Sequence, residues 1–287
     1  MRPSDIAARA FYVEEPNTTA PAPPPPPIPL MAQTPAFSDG LVWFKESLSA
    51  LRRQPVALPG IVIFSTLVSG LLSGFPFIGA ILASCWMPFG AVLTGYAARD
   101  TLEGRVPSYQ MLSQIFRDAP SRWPLLGIGL LSSLWFEVEM VIFDYLGADA
   151  IAAWKITEKG IDFESVMANL PVTAFVTTVI LYVPLLMMTV FAPLLVADKR
   201  QALGKSLFYS FFGVLRNLPP VVVFVVLLFG LTAGSGLILE ALFAAVGLPN
   251  ALPYVAPLLI AVLSTVSQAG IWVMYRDLFE QVRRGSI

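Results

Sequence analysis

The sequence predicts an all-α membrane protein with six transmembrane helices arranged as three hairpins, each preceded by a cytoplasmic interfacial amphipathic helix. The first observation is composition: the 287 residues are 56% hydrophobic and only 13% charged, a balance typical of chains that cross a bilayer. Secondly, long uncharged stretches match the length of membrane-spanning helices. Thirdly, the basic residues gather on one side of those stretches.

The first uncharged stretch, residues 56–98, is too long for one span. Its 43 residues would form a helix of about 64 Å, roughly twice the ~30 Å hydrocarbon thickness. Glycine and proline at residues 74–79 place a turn between two spans. The same reasoning predicts a membrane domain over residues 41–280. Its spans are expected at 56–75, 78–98, 123–143, 171–197, 218–240 and 254–275.

Polar tails flank this domain. Residues 1–40 are proline-rich, and the run at 21–29 favours extended polyproline II backbone that cannot build a core. We expect a disordered cytoplasmic tail that either docks on a partner with an aromatic groove or is a plain solvated tether. No apolar segment follows the first residues, so no cleavable signal peptide is expected. Residues 281–287 form the predicted cytoplasmic C-terminal tail.

The positions of the basic residues predict the orientation. Of the 18 Lys and Arg residues, all except Lys155 and Lys159 fall in segments that the six spans place on one membrane face. Because basic residues accumulate in cytoplasmic loops, both termini are expected in the cytoplasm, and the even span count agrees. The two exceptions lie in a long loop, 147–170, whose net charge is negative.

A five-residue pattern precedes each odd-numbered span: a bulky apolar residue, arginine, two variable residues and proline. It occurs at residues 51–55, 116–120 and 215–219. Each copy ends a stretch with apolar residues at helical spacing, which predicts an amphipathic helix on the inner leaflet that the proline ends. The arginines expected near anionic lipid headgroups are Arg52, Arg53, Arg117 and Arg216. In the first copy, the expected apolar face consists of Leu41, Phe44, Leu48 and Leu51.

The even-numbered spans also end alike. Residues 99–103 read Arg-Asp-Thr-Leu-Glu and residues 276–280 read Arg-Asp-Leu-Phe-Glu, with an imperfect match at 198–200. The unit of one amphipathic helix and one two-span hairpin is therefore expected three times. The alternative is that any inner-leaflet helix leading into a span ends in Arg and Pro, and it predicts the same architecture.

This arrangement resembles an uncharacterised family of multi-pass bacterial inner-membrane proteins, distantly similar to the membrane domain found beside glycerophosphoryl diester phosphodiesterases. The resemblance lies in residues 43–55, 76–79, 191–195, 205–219 and 275–279. It implies six spans and a location in the bacterial inner (cytoplasmic) membrane, and it implies no activity. The proline-rich tail and the acidic loop lie outside the family pattern.

Glu137 and Glu139 are the most unusual residues, because they fall inside the third span. Counted from Leu125, Glu137 lies about 18 Å along the helix, where a lone carboxylate is costly unless it is protonated, paired or hydrated. Residues two apart point in different directions, so the glutamates cannot form one dyad, whereas Asp144 aligns with Glu137. All three carboxylates are ion or proton coupling candidates. Alternatively, the span is short or tilted and both glutamates reach the outer interface.

Small residues and prolines mark further positions within the spans. Gly70 with Gly74, and Gly230 with Gly234, permit close approach of helices, and we expect packing within the chain ahead of the alternative, contact with a partner subunit. The fourth span contains Pro184 and Pro193. These prolines either break the helix at a binding site or are ordinary membrane prolines.

Much chemistry is excluded by composition. The chain has no histidine and a single cysteine, Cys85, so it has no haem axial pair, no zinc site and no Ser-His-Asp or Cys-His arrangement. It has no phosphate-binding loop motif and no lysine within a span that could activate a serine. We therefore expect no catalytic activity, no metal, no cofactor and no nucleic-acid partner.

The expected function is a non-catalytic structural or accessory component of a membrane protein assembly. The reasons are the scarcity of buried polar groups, the glycine faces and the proline-rich tail. The expected partners are anionic lipids of the inner leaflet, other membrane subunits and a protein that binds the tail. The alternative is a transporter or channel for a small or amphipathic solute that uses a carboxylate of the third span. A lipid-handling role is a third possibility.

Overall fold

The structure is a computed structural model that describes residues 35–157, 160–248 and 251–280. Most of the proline-rich tail and all of the C-terminal tail lie outside these residues. The described part contains eleven helices and one two-stranded ribbon. The elements are α1 (Asp39–Arg53), α2 (Ala57–Ser73), α3 (Gly79–Leu102), α4 (Gln110–Arg117), α5 (Ala119–Ala152), β1 (Ile156–Thr157), β2 (Gly160–Ile161), α6 (Phe163–Ala168), α7 (Val172–Thr189), α8 (Ala192–Lys199), α9 (Leu203–Arg216), α10 (Leu218–Ala245) and α11 (Leu252–Phe279).

Five helical segments of the described chain are long and apolar enough to cross a membrane. They are α3, α5, the nearly continuous pair α7–α8, α10 and α11. The number of spans rises to six when α1 and α2 are counted together as one bent span. The two meet at 98°, and α2 alone has 17 residues, about 25 Å of helix. The chain is thus an all-α membrane protein with five or six spans.

Helix α1 packs on the bundle through small residues and one tryptophan. Its buried face consists of Gly40, Trp43, Ser47 and Ala50. In the predicted apolar face, Leu41 is exposed and Phe44 is half-buried, and the contact of this face with the inner leaflet stays a prediction. Small side chains let α1 approach the start of α10 closely: a Cβ on Gly40 would lie 2.3 Å from the carbonyl oxygen of Pro220. The larger apolar side chains are left at the edge of the contact.

The short helices α1, α4 and α9 pack in a cyclic order. Helix α4 lies between α3 and α5 and contacts both, and α9 contacts α7 and α8 above all, so each contacts the helix that directly precedes it in the chain. Helix α1 has no preceding pair, and it contacts α10 and α11, the last pair. The first short helix therefore closes a ring with the last two helices.

A serine side chain repairs the break between α7 and α8. Pro193 has no N–H to donate to the carbonyl of Thr189, and the helix is interrupted just before it. The Ser210 hydroxyl of α9 accepts a hydrogen bond from the Phe191 N–H at 3.0 Å and donates one to the Met187 carbonyl at 2.8 Å. Since these two backbone groups would bond each other in an unbroken helix, Ser210 stands in for the missing turn.

The packed core occupies one end of the bundle. We call the end that carries α1, α4 and α9 the core end, and the opposite end the open end. All ten buried residues of α11 lie within Leu263–Phe279, and the two of α10 are Pro220 and Phe224. Towards the open end, large side chains such as Phe229, Leu237 and Ile260 are exposed. Helices α10 and α11 are therefore packed at the core end and exposed towards the open end, whereas α5 and α7 still touch there.

The segment predicted as an acidic loop is ordered at the open end. Helix α5 continues to Ala152 because residues 146–152 are rich in good helix formers, so the helix is longer than the predicted span 123–143. The chain then forms the β1–β2 ribbon and α6, and the Trp154 indole donates a hydrogen bond to the Asn169 carbonyl at 2.9 Å. Among the described residues of 147–170, only part is irregular.

We expect Gly270→Ala to destabilise the protein by about 1–3 kcal/mol, because added volume strains a packed core. A Cβ at Gly270 would lie 2.1 Å from Cζ of Phe224, whereas one at Gly230 would meet no atom within 4 Å. The measurement is thermal unfolding in mild detergent, with Gly230→Ala as the matched control that keeps wild-type stability or gains slightly. Equal melting temperatures for the two variants would contradict this packing.

Candidate functional site

Glu139 is the one carboxylate that the described structure buries in the middle of a long apolar helix. Only 7% of its surface is exposed. The indole nitrogen of Trp135, one turn earlier on α5, donates a hydrogen bond of 2.8 Å to Glu139 Oε1. This spacing places donor and acceptor on the same helix face. The sequence therefore provides a local partner for a side chain that is costly to bury alone.

A groove lies between α5 and α7 beside Glu139. It has a volume of about 240 Å³, and four of its lining residues recur on α5 at helical spacing while three come from α7. The lining residues are Phe136, Glu139, Met140, Phe143, Thr178, Val179 and Tyr182. Apart from the carboxylate, a phenol and a hydroxyl, the walls are apolar.

A contact between α5 and α7 near the open end shows how far along these helices the groove lies. A Cβ at Gly147 of α5 would lie 3.4 Å from Cβ of Pro171 and 3.6 Å from Cβ of Ala174. Gly147 is therefore level with the start of α7. Glu139 precedes Gly147 by eight residues, about 12 Å of helix, so the carboxylate lies well inside the apolar length of α7.

Glu137 and Asp144 lie away from the groove. Both are exposed on the outside of α5, and neither lines the groove. Of the three coupling candidates, the structure separates Glu139 from the other two. The sequence contained the signal: residues 136, 139, 140 and 143 share one helix face with an aromatic-rich pattern, and Trp135 stands four residues before Glu139. Thr178 and Tyr182 of α7 carried no such signal.

The helices α3, α8 and α11 each carry an aspartate within two residues of their end at the core end. Asp100 pairs with Arg99 at 3.0 Å and Asp277 with Arg276 at 2.9 Å. Asp198 accepts a hydrogen bond of 2.8 Å from the Tyr275 hydroxyl. The similar sequences at 99–103 and 276–280 thus make the same Arg–Asp contact. In the imperfect copy Asp198 pairs with Lys199 at 2.9 Å and is also bonded by the tyrosine from α11.

Two polar contacts join α1 to α11 beside this cluster. The Trp43 indole donates a hydrogen bond of 2.9 Å to Asp277, and Arg276 pairs with Glu46 at 2.8 Å. Trp43 itself is fully buried. These contacts fix the cyclic packing of the first and last helices. The sequence predicted neither contact, because the partners are more than 200 residues apart.

The four arginines that the repeated pattern predicts near lipid headgroups differ in their contacts. Arg52, Arg117 and Arg216 are exposed at the ends of the three short helices, and no salt bridge to them is present among the described residues. Arg53 instead donates a hydrogen bond of 2.6 Å to the Leu102 carbonyl. Three of the four candidates for lipid headgroups therefore remain available to a ligand, and Arg53 joins α1 to the end of α3.

The predicted glycine contacts within the chain were wrong. A Cβ at Gly70, Gly230 or Gly234 would meet no atom within 4 Å, and one at Gly74 would meet only carbonyl oxygens of its own helix. These glycines lie at the open end, where the helices diverge. Close approach occurs at Gly129 instead, where a Cβ would lie 2.5 Å from the α3 backbone.

Within the described ranges, no three acidic or cysteine side chains are grouped so that they could hold a metal ion. Cys85 is half-buried in α3.

The fold and these sites define the class: an integral membrane protein that crosses the bilayer several times. The chain is 28% identical over 225 residues to a Burkholderia thailandensis protein named a probable inner membrane protein, a match that covers 72% of this chain and 78% of the relative. The similarity supports an uncharacterised group of inner-membrane proteins. No protein-family model and no solved structure matches the chain. The link to the phosphodiesterase membrane domain stays a prediction.

The pKa of Glu280, which follows the last residue of α11, is raised by burial and further by the negative charge of Asp198. A carboxyl whose pKa is higher in the folded state weakens the fold as it ionises. Below its ordinary pKa of about 4.3, it is protonated in both states and has no such effect. Its destabilising effect develops as the pH rises from that value through the raised pKa.

We therefore expect Glu280→Gln to raise the melting temperature at neutral pH, with a gain that shrinks towards about pH 4. Thermal unfolding in detergent across this pH range measures it. Glu103→Gln is the matched control, because Glu103 holds the corresponding position after α3 and is exposed and paired with Arg105. The same gain in both variants would argue against burial at Glu280.

Proposed function

We propose that this inner-membrane protein is a non-enzymatic carrier that binds an amphipathic solute in the groove between α5 and α7, with Glu139 as the polar contact. The supporting observation is a buried carboxylate on the wall of an otherwise apolar groove, well inside the length of two membrane helices. An ionisable residue at such a depth marks a solute or ion site by default. This proposal develops the transporter alternative and assigns the coupling role to Glu139 rather than Glu137.

The proposed orientation places the core end and both termini in the cytoplasm. The basic residues of α1, α4 and α9 support it, because they would lie at the inner surface. The 98° angle between α1 and α2 is what a helix lying on the membrane before a span requires. In this orientation the helix pairs form three hairpins, and the groove opens towards the outer half of the bilayer.

Photolabelling tests binding at the groove. A diazirine-bearing fatty alcohol, incorporated with the full-length protein in nanodiscs, is expected to label residues of α5 and α7 at the groove above all. Val179→Trp fills the groove and should abolish this labelling, because a bulky side chain excludes the probe. Val226→Trp, at an exposed position of α10, is the matched control. Labelling spread evenly over the exposed helices would overturn the proposal.

The coupling role of Glu139 has a separate test. Where deletion of the gene produces a transport or growth phenotype, Glu139→Gln should fail to complement it, since the amide cannot ionise. Glu137→Gln, two residues away on the exposed side, should complement fully. Complementation by both variants would remove the carboxylate from the mechanism.

Anionic lipids of the inner leaflet are the proposed partners of the core end. The supporting observation is that Arg52, Arg117 and Arg216 end the three short helices exposed and without salt bridges among the described residues. Each surface cation contributes about 1 kcal/mol at an anionic membrane. The triple alanine variant should therefore retain measurably less anionic lipid than a Lys155→Ala control, whose exposed lysine lies at the open end, as measured by lipid analysis after purification. Equal retention would contradict the proposal.

An accessory role in a membrane assembly is the second candidate. The observation that favours it is the peripheral helix α10, where Gly230 and Gly234 have no neighbour within 4 Å and could admit a helix of another subunit. The proline-rich tail would offer a second contact to a partner. Purification in mild detergent tests this role: a stoichiometric partner supports it, and a solitary chain opposes it.

A further inference from the structure

The carboxylate of Glu139 has no basic side chain to pair with in the helical segments that form the groove. Residues 123–154, which include most of α5, contain neither lysine nor arginine, and neither do residues 172–197. Within the described residues, the Trp135 indole is the only hydrogen-bond partner of Glu139. One N–H donor satisfies one lone pair of an ionised carboxylate and leaves the negative charge uncompensated.

Aromatic rings complete the surroundings of this carboxylate. Phe136 and Phe143 line the groove from α5, and Tyr182 lines it from α7. The face of an aromatic ring attracts cations, and the attraction grows when the cation is shielded from water. Several rings around one carboxylate form the environment that recognises organic ammonium groups. A strongly hydrated inorganic ion would find too few oxygen ligands here.

We propose that the solute of this groove is an organic ammonium amphiphile, a cation whose ammonium head lies against Glu139 and the three rings while its alkyl part lies along the apolar walls. This inference rests on the proposed function and names its substrate class. The volume of about 240 Å³ accommodates a small substituted ammonium head. The half-exposed side chains of Phe136 and Tyr182 leave the groove open sideways, so an alkyl chain extends into the bilayer.

Charge complementarity separates this ligand from the alternatives. An anionic amphiphile would place a second negative charge beside Glu139, and residues 123–154 and 172–197 contain no lysine or arginine to offset it. A neutral amphiphile would leave the carboxylate unpaired. An ammonium head neutralises the buried charge, and the binding site supplies an attraction that the alkyl chain alone does not.

The test compares three probes of equal length: hexyltrimethylammonium, heptan-1-ol and heptanoate. Each is titrated calorimetrically into the full-length protein in nanodiscs, with empty nanodiscs subtracted. We expect saturable binding of the ammonium at least about tenfold tighter than of the alcohol, and no binding of heptanoate. Glu139→Gln should lose this preference and still bind the alcohol. Its amide oxygen can still accept the Trp135 hydrogen bond, so the variant should fold.

Two further variants test whether ammonium binding depends specifically on the Glu139 carboxylate and on the aromatic rings of the groove. Glu137→Gln should bind the ammonium as the wild type does, because Glu137 lies outside the groove. Tyr182→Leu removes one ring and should weaken ammonium binding several-fold while the alcohol binds as before. An unchanged ammonium preference in Glu139→Gln, or an equal loss in Glu137→Gln, would overturn the inference.

The outcomes also separate this inference from the proposed function. If the fatty-alcohol probe labels the groove but the ammonium shows no preference over heptan-1-ol, the amphiphile site stands and the ammonium specificity is refuted. If neither the photolabel nor any of the three probes binds at the groove, both proposals fail.

Discussion

The structure depends on the polar contacts that join its first helix to its last. Trp43 and Glu46 of α1 reach Asp277 and Arg276 of α11 at 2.9 and 2.8 Å. Trp43 is fully buried, and burying its indole N–H without a partner would be costly, so the contact with Asp277 fixes where α1 lies. With α1 held on α10 and α11, the core end is closed around α3, α8 and α11.

The same closure leaves the open end accessible to the ligand that we propose. Large side chains interlock where the short helices bring the spans together, as Phe279 does against Gly213. Beyond that level α10 and the first half of α11 leave apolar side chains exposed. Glu139 lies on this side of the core, in a groove that the tight packing of the core end keeps in place. A stable scaffold and an accessible site are thus located in different halves of one bundle.

The features that the sequence predicted correctly are those that depend on local periodicity and charge. Uncharged length predicted the spans, and the Arg-Pro pattern predicted short helices before α2, α5 and α10. The sequence did not predict which glycines pack, because that depends on where helices converge: Gly129 and Gly270 are in close contact while Gly230 is not. Glu139 was predicted as one of three carboxylates, but its groove needed α7, whose position is a tertiary property. The Ser210 bridge to α7 and α8 was invisible for the same reason.

The most direct test of this account is a spin-label scan along α11 in nanodiscs, with oxygen accessibility as the readout. No residue of 251–262 is buried, whereas Val266, Ala269, Gly270 and Val273 are. We expect strong protection with helical periodicity over 263–279 and weak protection throughout 251–262. Equally deep periodic protection along the whole helix would contradict the account, because it would mean that the spans pack tightly at both ends.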